Sequence, residues 1–404
     1  MKAKLAGSTA AFLTFTSLAA LAQTDMPNQR ARPDYDAQGV RAGAFIILPK
    51  ADLSARYDDN VFATTSGRIS DWTFVGTPSV EIKSNWNNHA LNFKADAEIG
   101  RYAHQTRENY EDYSIGVDGR LDILRGSDIT GNASYLRGHE ERGSPNDVGG
   151  RSPTEYDLMA AGLEYQRAVG RISVKAGGDI RRYNFDNVQG VGATIINNNV
   201  RDRDEYSVNA QAGYKLVQST IAFLRGTYNW RQYDDDKTRN SKGYAVTVGT
   251  NFRLSGVTQG EVFVGYRNQR YDPGAFGNTK GLTYGGSLYW APTALTTVTV
   301  TLLNEVEETI VSTSSGFVAS SISARVDHEL LRNVVLNAVA GYTRDTYKRS
   351  PRKDDYWEIG AGAKYLLNRN LGLGVNYRYS KRSGNLPGLD YRKNAITLSV
   401  TGQI

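Results

Sequence analysis

Among 404 residues there is no cysteine, and only 4 are histidine. Without thiols there are no disulfides, which fits an exported protein that does not rely on cross-links. Beyond the N-terminus no apolar run reaches the roughly 18 residues that mark a membrane helix, so a helical membrane protein is excluded. The G-x-S-x-G, P-loop and H-E-x-x-H motifs are all missing, and His89, His104, His139 and His328 lie far apart in sequence. The expectation is a protein that is not an enzyme, with histidines at girdles and loop edges, no cofactor and no metal. Charge of one sign is not in large excess either. The formal +6 falls to +4 without Lys2 and Lys4, too weak and dispersed to argue for nucleic acid. No blade motif recurs at the ~40–45 residues of a propeller, and no short repeat marks a β-helix.

What is abundant is tyrosine, 25 residues, and glycine, 41, in a chain that alternates. From Asp355 to Ser383, Trp357, Ile359, Ala361, Ala363, Tyr365 and Leu367 fall on one face, and Glu358, Gly360, Gly362 and Lys364 on the other. After Asn368, Arg369 and Asn370, the residues Leu371, Leu373, Val375, Tyr377 and Tyr379 oppose Gly372, Gly374, Asn376, Arg378 and Ser380. A period of two across a short turn is a hairpin. Its apolar face carries aromatics near the ends and small or aliphatic residues between them over about ten residues, the length and girdle of a strand crossing an outer membrane. A soluble sandwich strand is shorter, about 5–6 residues. Ala361 is thus placed toward lipid and Gly362 toward the lumen. A negative mean hydropathy is no objection, because half of each barrel strand faces water.

The first residues read as a secretory leader: Lys2 and Lys4 precede an apolar stretch from Leu5 to Leu18, and Ala20-Leu21-Ala22 is an A-x-A site, with cleavage expected before Gln23. Three segments follow: a signal peptide 1–22, a flexible periplasmic arm 23–43 holding Pro27, Pro33, Arg30, Arg32 and Arg41, and a barrel 44–404. From Leu53, Ala55 and Tyr57 to the final run Tyr391 to Ile404, the alternation predicts about 18 antiparallel strands, with short periplasmic turns and long external loops strictly interleaved. The fold class is all-β, a transmembrane antiparallel β-barrel in a Gram-negative outer membrane. It is one domain, since a closed sheet cannot be divided.

The alternation also assigns an inner, polar face. Its charged members include Arg56, Lys94, Asp96, Glu98, Asp118, Arg120, Asp122, Lys175, Asp179, Arg181, Arg225, Arg231, Arg267 and Arg378, the pore-lining candidates, with Lys215, Arg253, Arg325 and Asp327 on the same face. Both signs occur on facing strands, so pairing across the wall is expected, and the polarity points to a hydrated, polar solute. About 18 strands leave an aqueous lumen. The long loops Arg137 to Pro153 and Asn187 to Arg203 are expected to fold over the external mouth. The second holds Val191, Ala193, Ile195 and Ile196, an apolar group suited to shelter inside and so the gating candidates. The basic loop residues Lys348, Arg349, Arg352, Lys353, Lys381 and Arg382 are expected at lipopolysaccharide phosphates. Asp234, Asp236, Thr238 and Asn240 have the alternate-position oxygens of a calcium loop without its glycine or terminal glutamate.

The phrases Tyr57-Asp58-Asp59-Asn60-Val61-Phe62, Gly143-Ser144-Pro145-Asn146-Asp147, Thr154-Glu155-Tyr156, Tyr228-Asn229-Trp230-Arg231 and Asp327-His328-Glu329-Leu330-Leu331-Arg332-Asn333 resemble the Putative beta-barrel porin 2 family over nearly the whole mature chain. That resemblance implies an outer-membrane barrel of the kind found with exopolysaccharide or capsule export, proposed as the exit for the polymer, and it carries over no catalytic residue. One departure is the C-terminus, Ile396, Leu398, Val400, Gly402 and Ile404, which keeps the alternation but lacks the usual terminal aromatic. The expected function is an exit conduit for a secreted polysaccharide. The alternatives are a diffusion porin for small polar solutes and a structural or adhesive surface barrel. The expected partners are outer-membrane lipid and lipopolysaccharide, the transported solute or polymer, and a periplasmic export protein.

Overall fold

The computed structural model describes residues 31–190, 192, 194–272, 277–311 and 314–404. The expected leader 1–22, the first part of the arm, Val191 and Ala193 lie outside the described residues.

The alternating runs form eighteen long strands: β1 (Phe45–Asp58), β2 (Asp71–Ser84), β3 (Ala90–Tyr102), β4 (Tyr110–Leu124), β5 (Ser127–His139), β6 (Glu155–Val169), β7 (Ile172–Phe185), β8 (Arg203–Val217), β9 (Thr220–Tyr233), β10 (Ser241–Ser255), β11 (Thr258–Tyr271), β12 (Thr279–Thr293), β13 (Thr296–Glu307), β14 (Phe317–Leu331), β15 (Val334–Tyr347), β16 (Lys353–Leu366), β17 (Leu371–Gly384) and β18 (Tyr391–Gln403). Each pairs antiparallel with the next, and β1 pairs with β18 from Lys50 opposite Gln403 to Asp58 opposite Ala395. That last ladder closes the sheet and removes its edges, the condition for a sheet to survive in lipid. Tight turns such as 125–126 and 170–171 lie at one end, and loops such as 140–154 and 186–202 at the other.

The period of two decides which side chain meets which solvent. Leu53, Ile115, Leu163, Val248, Leu282 and Leu398 are each more than half exposed. In a bilayer that exposure is contact with acyl chains, so an apolar surface there carries no hydration penalty. Ala361 lies on this outer face, whereas a Cβ built at Gly362 would point inward, 2.1 Å from Asn376 Oδ1.

The strands are longer than the ten residues expected, 12 to 15. A 14-residue strand rising ~3.3 Å per residue at a tilt of ~40° stands about 35 Å tall, against an apolar band of ~25 Å. The surplus carries a second aromatic set that faces inward at the loop end. Tyr110, Tyr183, Phe185, Tyr233, Tyr271, Phe317, Tyr347 and Tyr391 are all nearly inaccessible. They lie at the loop ends of their strands as a collar beneath the external loops, and Tyr183 and Phe185 pack with Tyr156 into a buried cluster. Each buries a large area and brings a polar or π face for the neighbouring arginines.

At the opposite end the described part of the arm is docked rather than free. Arg32 pairs with the buried Glu329 of β14 at 3.0 Å, Arg369 donates to the Pro33 carbonyl at 2.6 Å, and Gln403 donates to the Tyr35 carbonyl at 3.1 Å. Val40–Ala42 then pairs with Phe45 to Ile47 as a small hairpin leading into β1. The flexible reading therefore does not hold from residue 31 onward, because the rim supplies partners for both side chain and backbone.

Candidate solute path and its external constriction

Register places every charged candidate of the inner face opposite the lipid-facing phase of its strand. Most are held in pairs, and many of the pairs run along a strand rather than across it. Arg120 meets Asp122 at 3.0 Å, Arg181 meets Asp179 at 3.4 Å, Arg325 meets Asp327 at 2.6 Å, and Lys94 bonds Asp96. Residues two apart share a face and lie ~7 Å apart, a span that a long cationic side chain laid along the strand covers. Cross-strand pairs are Lys175 with Glu164 at 3.6 Å, Arg225 with Glu261 at 3.0 Å and Arg378 with Glu358 at 3.5 Å. Asp118 accepts from Asn92 at 2.8 Å, and Glu98 accepts from the Tyr110 hydroxyl at 2.7 Å. Among the described residues Arg56 donates only to the Tyr102 hydroxyl, at 3.5 Å, and its Nε has no hydrogen-bond partner.

The external mouth is crossed by loop 140–154. Arg142 makes a two-pronged bond to the buried Glu108, at 2.6 and 2.9 Å, and lies over the Phe62 ring. Next, Gly143 has φ +78°, and a Cβ there would sit 2.6 Å from Ala63 Cβ and 2.7 Å from the Tyr391 ring. Only glycine accommodates both the backbone and the closeness. Further on, Asn146 donates to the Glu308 carbonyl at 3.3 Å and accepts from the Ile310 amide at 3.2 Å. These contacts carry the loop from β5 and β6 to the neighbourhood of β13, nearly half the circumference away.

The segment it meets, 308–316, is itself turned inward. Between β12 and β13 the ladder stops at Gly285 opposite Leu303, and above it the Asn304 carbonyl accepts from Arg267 at 2.8 Å and from Thr283 at 3.3 Å. With its wall-side ladder replaced by side chains, the top of β13 leans away from β12. Glu308 then reaches Arg231 at 2.6 Å and the Tyr233 hydroxyl at 2.7 Å, while Arg239 donates to the Thr309 carbonyl at 2.7 Å. Arg231 is also near Glu205, 3.8 Å away, and Glu205 is bonded by Arg203, which stacks on the Tyr183 ring at 4.2 Å. Loop, collar and wall are one charged network.

Loop 186–202 behaves differently from the expectation. Val188 is the buried residue, against Gly150, while Ile195 is 72% exposed and Ile196 half-buried in a short hairpin, Val188–Gln189 against Ile195–Ile196. The loop's polar groups explain this: Asn198 donates to the Asp186 carbonyl at 2.9 Å at the loop's own base, and Arg201 bonds Glu140 at the start of the neighbouring loop, leaving Ile195 outside. The loop arginines need correction as well. Arg352 and Arg382 do not face lipid phosphates but are buried together on Asp354, each at 2.8 Å, over the rings of Tyr347 and Tyr356. In the calcium-like loop, Asp234 is engaged by Arg182, Asp236 by Arg239 at 3.1 Å, and Asn240 by the Tyr233 amide. Among the described residues no group of three or more His, Cys, Asp or Glu side chains could hold a metal.

The alternation did not reveal the inward aromatic collar, though a signal for it exists. In β9, Leu224, Tyr228 and Trp230 share the outer phase, whereas Tyr233 is out of phase, and an odd-phase aromatic at a strand's loop end marks a ring turned inside.

A closed antiparallel barrel with an apolar outer belt, a charged inner wall and an infolded external loop is a porin-like channel of the outer membrane. Residues 32–404 match the family described as Putative beta-barrel porin 2, and the chain belongs to it. No curated protein matches the chain. Among solved structures it is similar to the outer membrane protein OpdK from Pseudomonas aeruginosa, at 16% identity and a TM-score of 0.43, over 89% of this chain and 99% of that one. It is also similar to Pseudomonas aeruginosa OccK2 (OpdF), at 10% identity and a TM-score of 0.47, over 89% and 97%.

Proposed function

We propose that the protein is a diffusion channel for small, hydrated polar solutes. The observation that carries this reading is loop 140–154, hydrogen-bonded through Asn146 to segment 308–316 across the mouth. A polymer chain would have to thread past a loop fastened near both ends, whereas small solutes pass beside it. The paired charges of the wall suit them, offering alternating polar partners without a deep well of either sign. Reconstitution tests this: liposomes carrying the protein should swell quickly in monosaccharides and progressively more slowly in larger oligosaccharides. Absence of any conductance in planar bilayers would overturn it.

The aromatic collar favours a second reading, the polysaccharide exit. Sugar rings stack on aromatic faces, and the collar would become available if the loops lifted. Deleting the gene and measuring extracellular polysaccharide separates the two, since a lost yield with unchanged small-solute uptake favours the exit conduit.

A further inference from the structure

One place in the wall differs from the rest. Arg378 on β17 stands directly opposite Ala395 of β18, Arg56 on β1 stands opposite Thr397, and Lys393 lies two residues before Ala395 on the same face. The register therefore gathers three cations on the inner surface of three adjacent strands, within about two pleats of one another. Two of them have wall carboxylates, Lys393 with Asp58 at 2.7 Å and Arg378 with Glu358 at 3.5 Å. Among the described residues Arg56 has none, only the Tyr102 hydroxyl at 3.5 Å. This patch of wall is thus one positive charge in excess.

Loop 140–154 passes close to this patch: a Cβ at Gly143 would lie 2.7 Å from the ring of Tyr391, two residues before Lys393, and Glu141 precedes the Arg142 anchor on that stretch. Its side chain is exposed. Its carboxylate makes no hydrogen bond or salt bridge among the described residues, unlike those of Glu140 and Glu108 on either side of the constriction. Removal from bulk water would raise its pKa, but Lys393, Arg56, His139 and Arg378 outweigh that and hold it below the ordinary glutamate value. Among the described residues, then, neither the Glu141 carboxylate nor the Arg56 guanidinium has a charged partner of its own, while the wall cations beside Arg56 do.

We propose that Arg56, flanked by Arg378 and Lys393, is an anion station on the solute path, that Glu141 is its tethered counter-charge, and that the channel favours carboxylate-bearing solutes able to take the place Glu141 leaves open. This rests on the channel reading above. Arg56 supplies a planar donor set with unused N–H groups, the chemistry that recognises a carboxylate. The neighbouring cations keep the local potential positive, and Glu141 keeps an anion from being held too tightly to leave.

The test is the reversal potential of the full-length protein in planar bilayers under a potassium chloride gradient. Two unit charges a few ångströms apart in water interact by about RT, so removing either should change the chloride-to-potassium permeability ratio about threefold. E141Q should raise the ratio, R56Q should lower it, and the double variant should return close to the parent. Glu141 is in a loop, so E141Q reads the proposal even where R56Q impairs folding. With liposomes, R56Q should slow glucuronate entry several-fold more than glucose entry. A parent that conducts while both single variants keep its permeability ratio overturns the anion station and leaves the channel intact. A parent that does not conduct at all overturns the channel reading itself.

Discussion

The two longest external loops begin from similar lengths and end in opposite states. Loop 140–154 spans the mouth with Arg142 buried on Glu108 and Asn146 bonded to segment 308–316, whereas loop 186–202 folds back on its own base and leaves Ile195 72% exposed. Apolar content does not decide which loop goes inside, since the more apolar one stays out. The inner wall and its collar offer carboxylates, guanidiniums and ring faces, so the loop that carries matching polar groups is drawn in. Burying a charge is tolerable only where a partner waits, and Glu108 is such a partner.

The sharpest way to break this comparison is to remove the crossing segment. Excising residues 142–149 and joining the ends with a short glycine-serine linker should raise single-channel conductance several-fold, because the contacts with Glu108, segment 308–316 and Arg352 all vanish together. Conductance equal to the parent's would mean that the loop does not narrow the path.

A single side chain should give a smaller version of that result. Arg142→Ala leaves Glu108 buried, with a side chain only 2% exposed and its main cation gone. Removing one partner of a buried pair costs about 3–5 kcal/mol, here charged to the closed state of the loop. The channel should flicker between a parent-like and a wider conductance, and Glu108→Gln in the same background should restore part of the closed population. A steady, parent-like trace from Arg142→Ala would show that Asn146 alone fixes the loop.

Acidification should act more weakly. Glu141 has its pKa depressed below 4.5 by Lys393, Arg56, His139 and Arg378, so its attraction to the wall is fully present at and above the ordinary glutamate value. The attraction is lost only as pH falls through the lower value in the folded protein. The permeability ratio should hold steady down to about pH 4.5 and then shift toward anions. A shift centred well above pH 4.5 would mean that a group other than Glu141 sets the ratio.

The barrel was legible because a single rule, the period of two, is enforced by two solvents at once. Lipid outside and water inside penalise any slip of register, so Ile359, Ala361 and Val375 announce their face without knowledge of their neighbours. The mouth was not legible in the same way. Its contacts join residues far apart in the chain: Asn146 to Glu308 and Arg352 to Pro145. No local pattern encodes a partner that distant, and the apolar group at 191–196 suggested burial where polar anchoring decided. Arg352 and Arg382 misled for a related reason, since a loop-end arginine looks alike whether it faces phosphate or a buried Asp354.

The smallest expected effect completes the comparison. Excising residues 190–196 removes the exposed tip of the second loop, including Ile195, and keeps Gln189, whose carbonyl accepts from the Arg151 amide at 2.7 Å. It also keeps Asn198 and Arg201, which tie the loop to Asp186 and Glu140. The contacts of Gln189, Asn198 and Arg201 therefore survive, and what is lost is the Ile195–Ile196 half of the short hairpin, with Ile195 exposed. Conductance and its permeability ratio should match the parent's, and thermal stability should not fall, because shortening a surface loop reduces closure entropy only slightly. An increase in conductance like that of the 142–149 excision would overturn the distinction between the loops, since the tip would then have to reach the solute path despite the exposure of Ile195.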